Sequence, residues 1–175
     1  MGLMAVTVLG HDRPGIIASV TQVLATLGLN LEDSTMTLLR GHFAFMLICA
    51  GDDQGPSADE VRAALAPVVA DGTLDVAVRT VPEEHQHELG GPSVVVSVHG
   101  GDRPGIVSAV AGRIAAAGGN ITDLSTRLTG DLYVAVAEVD LPPGSDVDAL
   151  ATGLHEVAAQ LGVDVSVRGV DVDVL

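Results

Sequence analysis

Gly10-His11-Asp12-Arg13-Pro14-Gly15-Ile16-Ile17 returns ninety positions later as Gly100-Gly101-Asp102-Arg103-Pro104-Gly105-Ile106-Val107. The same shift aligns Val20 with Val110, Ala25 with Ala115, Gly28 with Gly118, Asn30 with Asn120 and Asp33 with Asp123. A repeat at fixed spacing means one structural unit written more than once, and it is read before any single element. Two like domains follow, 1–81 and 93–175. The stretch 82–92 between them has two prolines, two glycines and almost no apolar content, which is linker composition.

On either side of the repeated segment, each copy reads strand, helix, strand, strand, helix, strand. Met4 to Leu9 and Ser93 to His99 are short apolar runs; in the second, Val94, Val96 and Val98 share one face. Asp12 and Asp102 are the expected N-caps of the first helices, with the proline in the first turn. Ile16, Val20, Val23, Leu24 and Leu27 follow at helical spacing, and Gly28 and Gly118 stop the helices. Leu31 to Leu39 and Phe43 to Ala50 flank Arg40-Gly41-His42, while Ile121 to Leu128 and Leu132 to Leu141 flank Thr129-Gly130-Asp131. Each pair predicts an antiparallel hairpin with a glycine in its turn. Second helices are expected over Ser57 to Ala70 and Asp146 to Leu161, opened by the capping boxes Ser57/Glu60 and Ser145/Asp148. Val76 to Val81 and Val163 to Val170 close the copies. The order βαββαβ is the split βαβ of the ferredoxin-like fold, an α+β architecture with an antiparallel sheet and helices on one face.

The charge removes several functions that this fold supports. The 175 residues hold 8 Arg and no Lys against 23 Asp plus Glu, a net charge of −15, with one Tyr, two Phe and no Trp. A nucleic-acid partner needs a basic face or stacking aromatics, so no direct nucleic-acid binding is expected. Metal carriers on this topology need a Cys-x-x-Cys, and Cys49 is the single cysteine. No disulfide framework exists, and Cys49, inside an apolar run, reads as a small buried hydrophobe. An acylphosphatase-like hydrolase would need a Gly-rich phosphate loop with an arginine aimed into it, which only the lone Arg13 matches. No stretch reaches the roughly 20 apolar residues of a membrane helix. A cytoplasmic protein without cofactor or membrane contact is the expectation.

Asp-Arg-Pro-Gly-Ile-[Ile/Val] leading into a helix, followed by Gly28-Leu29-Asn30-Leu31 or Gly118-Gly119-Asn120-Ile121, resembles the ACT domain family of amino-acid-sensing regulatory modules. The resemblance covers nearly the whole chain, and a pair of ACT domains with little else is similar to the glycine cleavage system transcriptional repressor group. It implies two tandem ACT domains, no enzymatic activity, and a small amino acid, glycine or serine, bound where two ACT domains meet. The candidate ligand residues are Gly10, His11, Asp12, Gly15, Ile16, Asn30 and Leu31, and in the second copy Gly100, Gly101, Asp102, Gly105, Ile106, Asn120 and Ile121. Serine-binding members resemble a His-x-Asn before Arg-Pro-Gly; here Asp12 and Asp102 take the Asn position and Gly10 and Gly100 the His position.

Elementary chemistry supports such a site. A loop entering a helix offers unpaired N–H groups and a positive dipole end for a carboxylate, and an Asp in the same loop can pair with an ammonium group. Asn30 and Asn120 offer an amide to the same ligand and are expected close to the loop. Arg13 and Arg103 read as salt-bridge partners. His85 and His87 offer imidazoles, but within a linker, and no metal site is assigned to them. A protein partner is expected to receive the signal, and a homodimer is expected because single four-stranded sheets leave exposed edges. The copies themselves are expected to pack through their first helices and sheet edges. The alternative to sensing is a structural interaction module with an empty ligand site.

Overall fold

The computed structural model describes residues 2–52, 54–82 and 90–170. The chain forms two compact units, Met1–His85 and Gln86–Leu175. In the first, β1 (Gly2–His11) leads into α1 (Ile16–Thr26), then β2 (Asn30–Leu39), β3 (His42–Gly51), α2 (Ala58–Leu65) with a 3-10 turn over Ala66–Val69, and β4 (Leu74–Val81). The second repeats this as β5 (Ser93–Gly101), α3 (Ile106–Ala116), β6 (Asn120–Thr129), β7 (Leu132–Asp140), α4 (Val147–Leu161) and β8 (Val163–Gly169). Both sheets are antiparallel, ordered β2-β3-β1-β4 and β6-β7-β5-β8. This is the ferredoxin-like α+β fold, twice.

The strand period of two decides which side chains reach the core. Met4, Val6 and Val8 of β1 are buried while their neighbours are partly exposed, and Phe43, Phe45 and Leu47 of β3 do the same before the buried run Cys49 to Gly51. Against them α1 lays Ile16, Val20 and Leu24, one residue per helical turn, and α2 lays Val61 and Leu65. Val94, Val96, Val98, Ile106, Val110 and Ile114 occupy the corresponding places in the second unit.

Both first helices end in the same hydrogen-bond pattern. Gly28 takes φ 75°, its N–H bonds Ala25 O, and the Leu29 N–H reaches back to Leu24 O; Gly118 and Gly119 reproduce this on Ala115 and Ile114. This is the Schellman ending, in which a left-handed glycine lets the last carbonyls find donors.

The helix starts depart from the sequence expectation. Gly15 (φ 91°, ψ 0°) and Gly105 (φ 97°, ψ −6°) are the N-caps, not Asp12 and Asp102, and neither cap carries a side-chain hydrogen bond. Their angles are those of the third position of a type II turn, and the proline before each stands in the second, so the turn displaces the helix start by three residues. In α4 the cap falls on Asp146, which accepts from the Ala149 N–H at 2.9 Å, one residue after the expected Ser145. Ser57 and Glu60 do form the expected capping box on α2.

Two glycines of the second unit and one of the first separate close approach from open space. A Cβ on Gly10 would stand 2.9 Å from Leu74 Cα and collide with the Thr73 carbonyl oxygen; on Gly100 it would stand 2.8 Å from a Val163 methyl. Gly112 sits inside α3 with nothing within 4 Å. Gly10→Ala is therefore expected to destabilise the chain by about 1–3 kcal/mol. Gly112→Ala is expected to stabilise it by about 0.5–1 kcal/mol. Urea titration followed by circular dichroism checks both signs.

Candidate functional site

The loop between β1 and α1 is tied to both neighbouring strands. Gly10 faces Phe43 on β3 and Leu74 on β4, and His11 faces His42, the two imidazoles meeting edge to face with centroids 5.1 Å apart. The His11 N–H donates to Thr73 O at 3.0 Å and the Asp12 N–H to Gly41 O at 3.1 Å. Asp12 and Arg13 are thus fixed beside the turn of the β2–β3 hairpin. In the second unit the Asp102 N–H points to Asp131 O at 3.4 Å, in the matching hairpin turn.

Because the N-cap is a glycine without a side chain, the first N–H groups of α1 and α3 have no capping acceptor. The helical bonds begin with Ser19 N–H to Gly15 O and Ala109 N–H to Gly105 O, both 2.9 Å, which leaves the amides of residues 16–18 and 106–108 at the open end. Asp12 and Asp102 are exposed, and their carboxylates make no hydrogen bond or ion pair among the described residues. Each unit therefore presents unpaired amides, positive at a helix start, within a few residues of an unpaired carboxylate. In the second unit Asp102, Arg103, Leu128, Gly130 and Asp131 line an open cleft of about 420 Å³. Sequence reasoning identified the hairpin turns without assigning them to the site; the signal was the strand order, which seats the β2–β3 and β6–β7 turns beside the loop.

Several candidate residues have narrower roles. Ile16 and Ile106 are each 2% exposed, so only their backbone is available to a ligand. Leu31 and Ile121 pack on the core margins. Around Gly15 a Cβ would meet nothing within 4 Å, so the residue serves turn geometry, not close approach of the chain.

Asn30 and Asn120 do not lie near the loops of their own units. Asn30 faces Ala50, which faces Leu3 at the start of β1, whereas the loop follows the far end of that strand. From Leu3 to Gly10 is seven residues of strand, about 24 Å at about 3.4 Å each. The cause is α1, which runs back along the sheet and delivers the chain to its opposite end. Asn120, facing Asp140 and thence Ser93, repeats the arrangement.

Both repeated arginines reach the end of the second helix. Arg13 donates from Nη2 to Val68 O at 2.9 Å and sets Nε 3.6 Å from an Asp71 oxygen. The Arg103 guanidinium lies over Gly162, the C-cap of α4, where a cation meets the negative helix end. Asp71 also accepts from the Thr73 N–H and hydroxyl, and these bonds, with the Arg13 charge, hold its carboxyl below the ordinary range. Burial pushes the Cys49 thiol up to about 11, which leaves it protonated at neutral pH and poor as a nucleophile. No group of three or more metal-ligating side chains forms among the described residues, and His85 and His87 lie outside them. No helix among the described residues is long and apolar enough to cross a membrane.

The profile of the ACT domain family matches residues 3–79 and again 93–168. The chain belongs to the ACT domain family. Among curated proteins, this tandem ACT protein is 40% identical over 74 residues to a UPF0237 protein of Methanopyrus kandleri, covering 42% of this chain and 82% of that one. It is 38% identical over 48 residues to the glycine cleavage system transcriptional repressor of Escherichia coli, covering 27% of this chain and 25% of the repressor. Among solved structures, an unknown protein from Galdieria sulphuraria shares the fold with a TM-score of 0.79 and 25% identity, over 97% of this chain and 98% of that one.

Two expectations follow for this ACT protein. Asp12→Ala and Asp102→Ala cap no helix and should leave the melting transition within about 0.5 kcal/mol of the parent, whereas Ser57→Ala breaks a real cap and should cost about 1 kcal/mol. The Asp71 carboxyl has a folded pKa below its unfolded value, so its contribution is present above the ordinary carboxylate range and is lost as pH falls through the lowered value. Asp71→Asn should accordingly flatten the acid limb of a stability-against-pH curve measured by urea unfolding.

Proposed function

We propose that this protein is a non-enzymatic regulator that binds a small amino acid at its ACT loops and changes its association with a protein partner. One observation carries the reading: in both units the first helix opens on a glycine, leaving its amides unpaired a few residues after Asp12 or Asp102, whose carboxylate has no partner among the described residues. The amides suit an α-carboxylate and the Asp suits an α-ammonium group, so the pair fits a zwitterion. One domain holds its Asn at the opposite end of the sheet, so the amide of Asn30 or Asn120 joins such a site only when a second ACT domain faces the loop. A homodimer is one way to supply it. Exposed Met36 and Leu38 on β2, and Leu124 and Leu128 on β6, are apolar residues on edge strands that an assembly would cover.

The kinship with a transcriptional repressor and the net charge of −15 together favour an indirect route to DNA. The partner is then a separate DNA-binding protein, and the ligand acts by binding one arrangement of the ACT domains more tightly than another. The same exposed edges also support the alternative, an interaction module that needs no ligand.

Isothermal titration with each of the twenty amino acids at millimolar concentration separates the two readings. The sensing reading expects saturable heat with at least one, weakened roughly ten- to a hundred-fold in Asp12→Asn/Asp102→Asn, the loss of a charged hydrogen bond being about 1.5–3 kcal/mol. Absence of heat with all twenty leaves the interaction module. Retention of duplex DNA by the purified protein at physiological salt would contradict the indirect route.

A further inference from the structure

His11 ends β1 and His42 opens β3, and the two are direct cross-strand partners, both exposed, with ring centres 5.1 Å apart. The Asp12 N–H donates to Gly41 O, so the backbone bond falls on the next pair along and His11 faces His42 in the non-hydrogen-bonded position, where cross-strand side chains stand closest. On the other flank the His11 N–H is held by Thr73 O, so the backbone that carries the pair is fixed from both sides. Neither imidazole makes a hydrogen bond or ion pair among the described residues. At the same register positions of the second unit Gly101 faces Leu132, so the pair belongs to the first unit alone.

We infer that His11 and His42 form a two-imidazole chelate for one divalent transition ion of the kind represented by Zn²⁺. Turning either ring about its Cβ–Cγ bond re-aims the nitrogens and leaves the ring centre nearly in place, so the separation of the centres decides whether one ion reaches both. An imidazole nitrogen stands about 1.2 Å from its ring centre and a zinc–nitrogen bond is about 2.0–2.1 Å, so two rings sharing one ion at the tetrahedral angle have centres about 5.2 Å apart. The observed 5.1 Å meets that requirement without movement of either strand. Imidazole nitrogen suits zinc and its transition-metal neighbours and not magnesium or calcium, which take oxygen ligands. The other coordination positions fall to water, so the site is open. Charge does not oppose a cation, since Asp12 follows His11 and Arg40 precedes His42 by two residues, one charge of each sign on a chain of net charge −15. An ion held here ties the end of β1 to the start of β3, beside the hairpin turn, whether or not the loop takes an amino acid.

The test uses the full chain, first stripped with a chelator, and zinc chloride with no amino acid present, so its outcome is independent of the sensing reading. Imidazole carbon–proton spectra follow the six histidines during the titration of the parent, His11→Gln, His42→Gln and the double variant His85→Gln/His87→Gln, each first checked for a cooperative melt. The expected result is saturable shifts of His11 and His42 together, at one ion per chain. Affinity should fall about tenfold or more when either ring is replaced, one of two protein ligands being lost, and should be unchanged in the His85→Gln/His87→Gln variant. Absence of saturable shifts up to millimolar zinc, shifts confined to the other four histidines, or unchanged affinity at the remaining ring in His11→Gln and His42→Gln would overturn the proposal.

Discussion

A glycine in the left-handed region at the head of the first helix is the constraint on which each domain turns. Gly15 and Gly105, at φ 91° and 97°, complete a tight turn after proline that takes the chain from the central strand into a helix packed over the same sheet. A residue with a Cβ would be strained there. The same glycine has no side chain with which to cap the helix. Chain reversal and an unpaired helix start are therefore one event, and the feature that lets the fold close is also the feature that leaves the first helix amides unpaired.

The sheet order fixes the place of that loop. With β1 in the interior, between β3 and β4, its end is held by Thr73 on one side and by Gly41 on the other, so the loop is fixed by backbone bonds. Gly10 belongs to this arrangement, because the chain passes so close to Thr73 and Leu74 that no side chain fits. Arg13, repeated in the same motif, serves the framework by fastening the loop to the end of the second helix through Val68 and Asp71. Of the four residues that repeat as Asp-Arg-Pro-Gly, three shape the turn or tie it down, and the Asp carboxylate has no partner among the described residues.

Much of the fold was legible in the sequence because repetition and periodicity are local properties. The shift of ninety positions gave two units, the spacing of Ile16, Val20 and Leu24 gave the helix, and glycines at 41 and 130 gave the hairpin turns. The N-cap was misread because Asp is a favoured cap and the sequence does not state which backbone region the glycine three residues later adopts. Asn30 was misplaced for a different reason: adjacency in sequence to the end of α1 says nothing of the loop at its start, and an eleven-residue helix spans about 16 Å. Ala135 and Ala137 could be aligned with Phe45 and Leu47 at the repeat shift, yet only the structure shows that all four are buried in the cores.

In the proposed function, the open amides at the two helix starts receive a carboxylate. Amide nuclear magnetic resonance spectra of the full chain, recorded while each of the twenty amino acids is added, address it residue by residue. The account predicts saturable shifts of the Ile16, Ile17 and Ala18 amides, or of Ile106, Val107 and Ser108, with at least one amino acid. Saturable shifts confined to other parts of the chain, with those six amides unmoved, would contradict it.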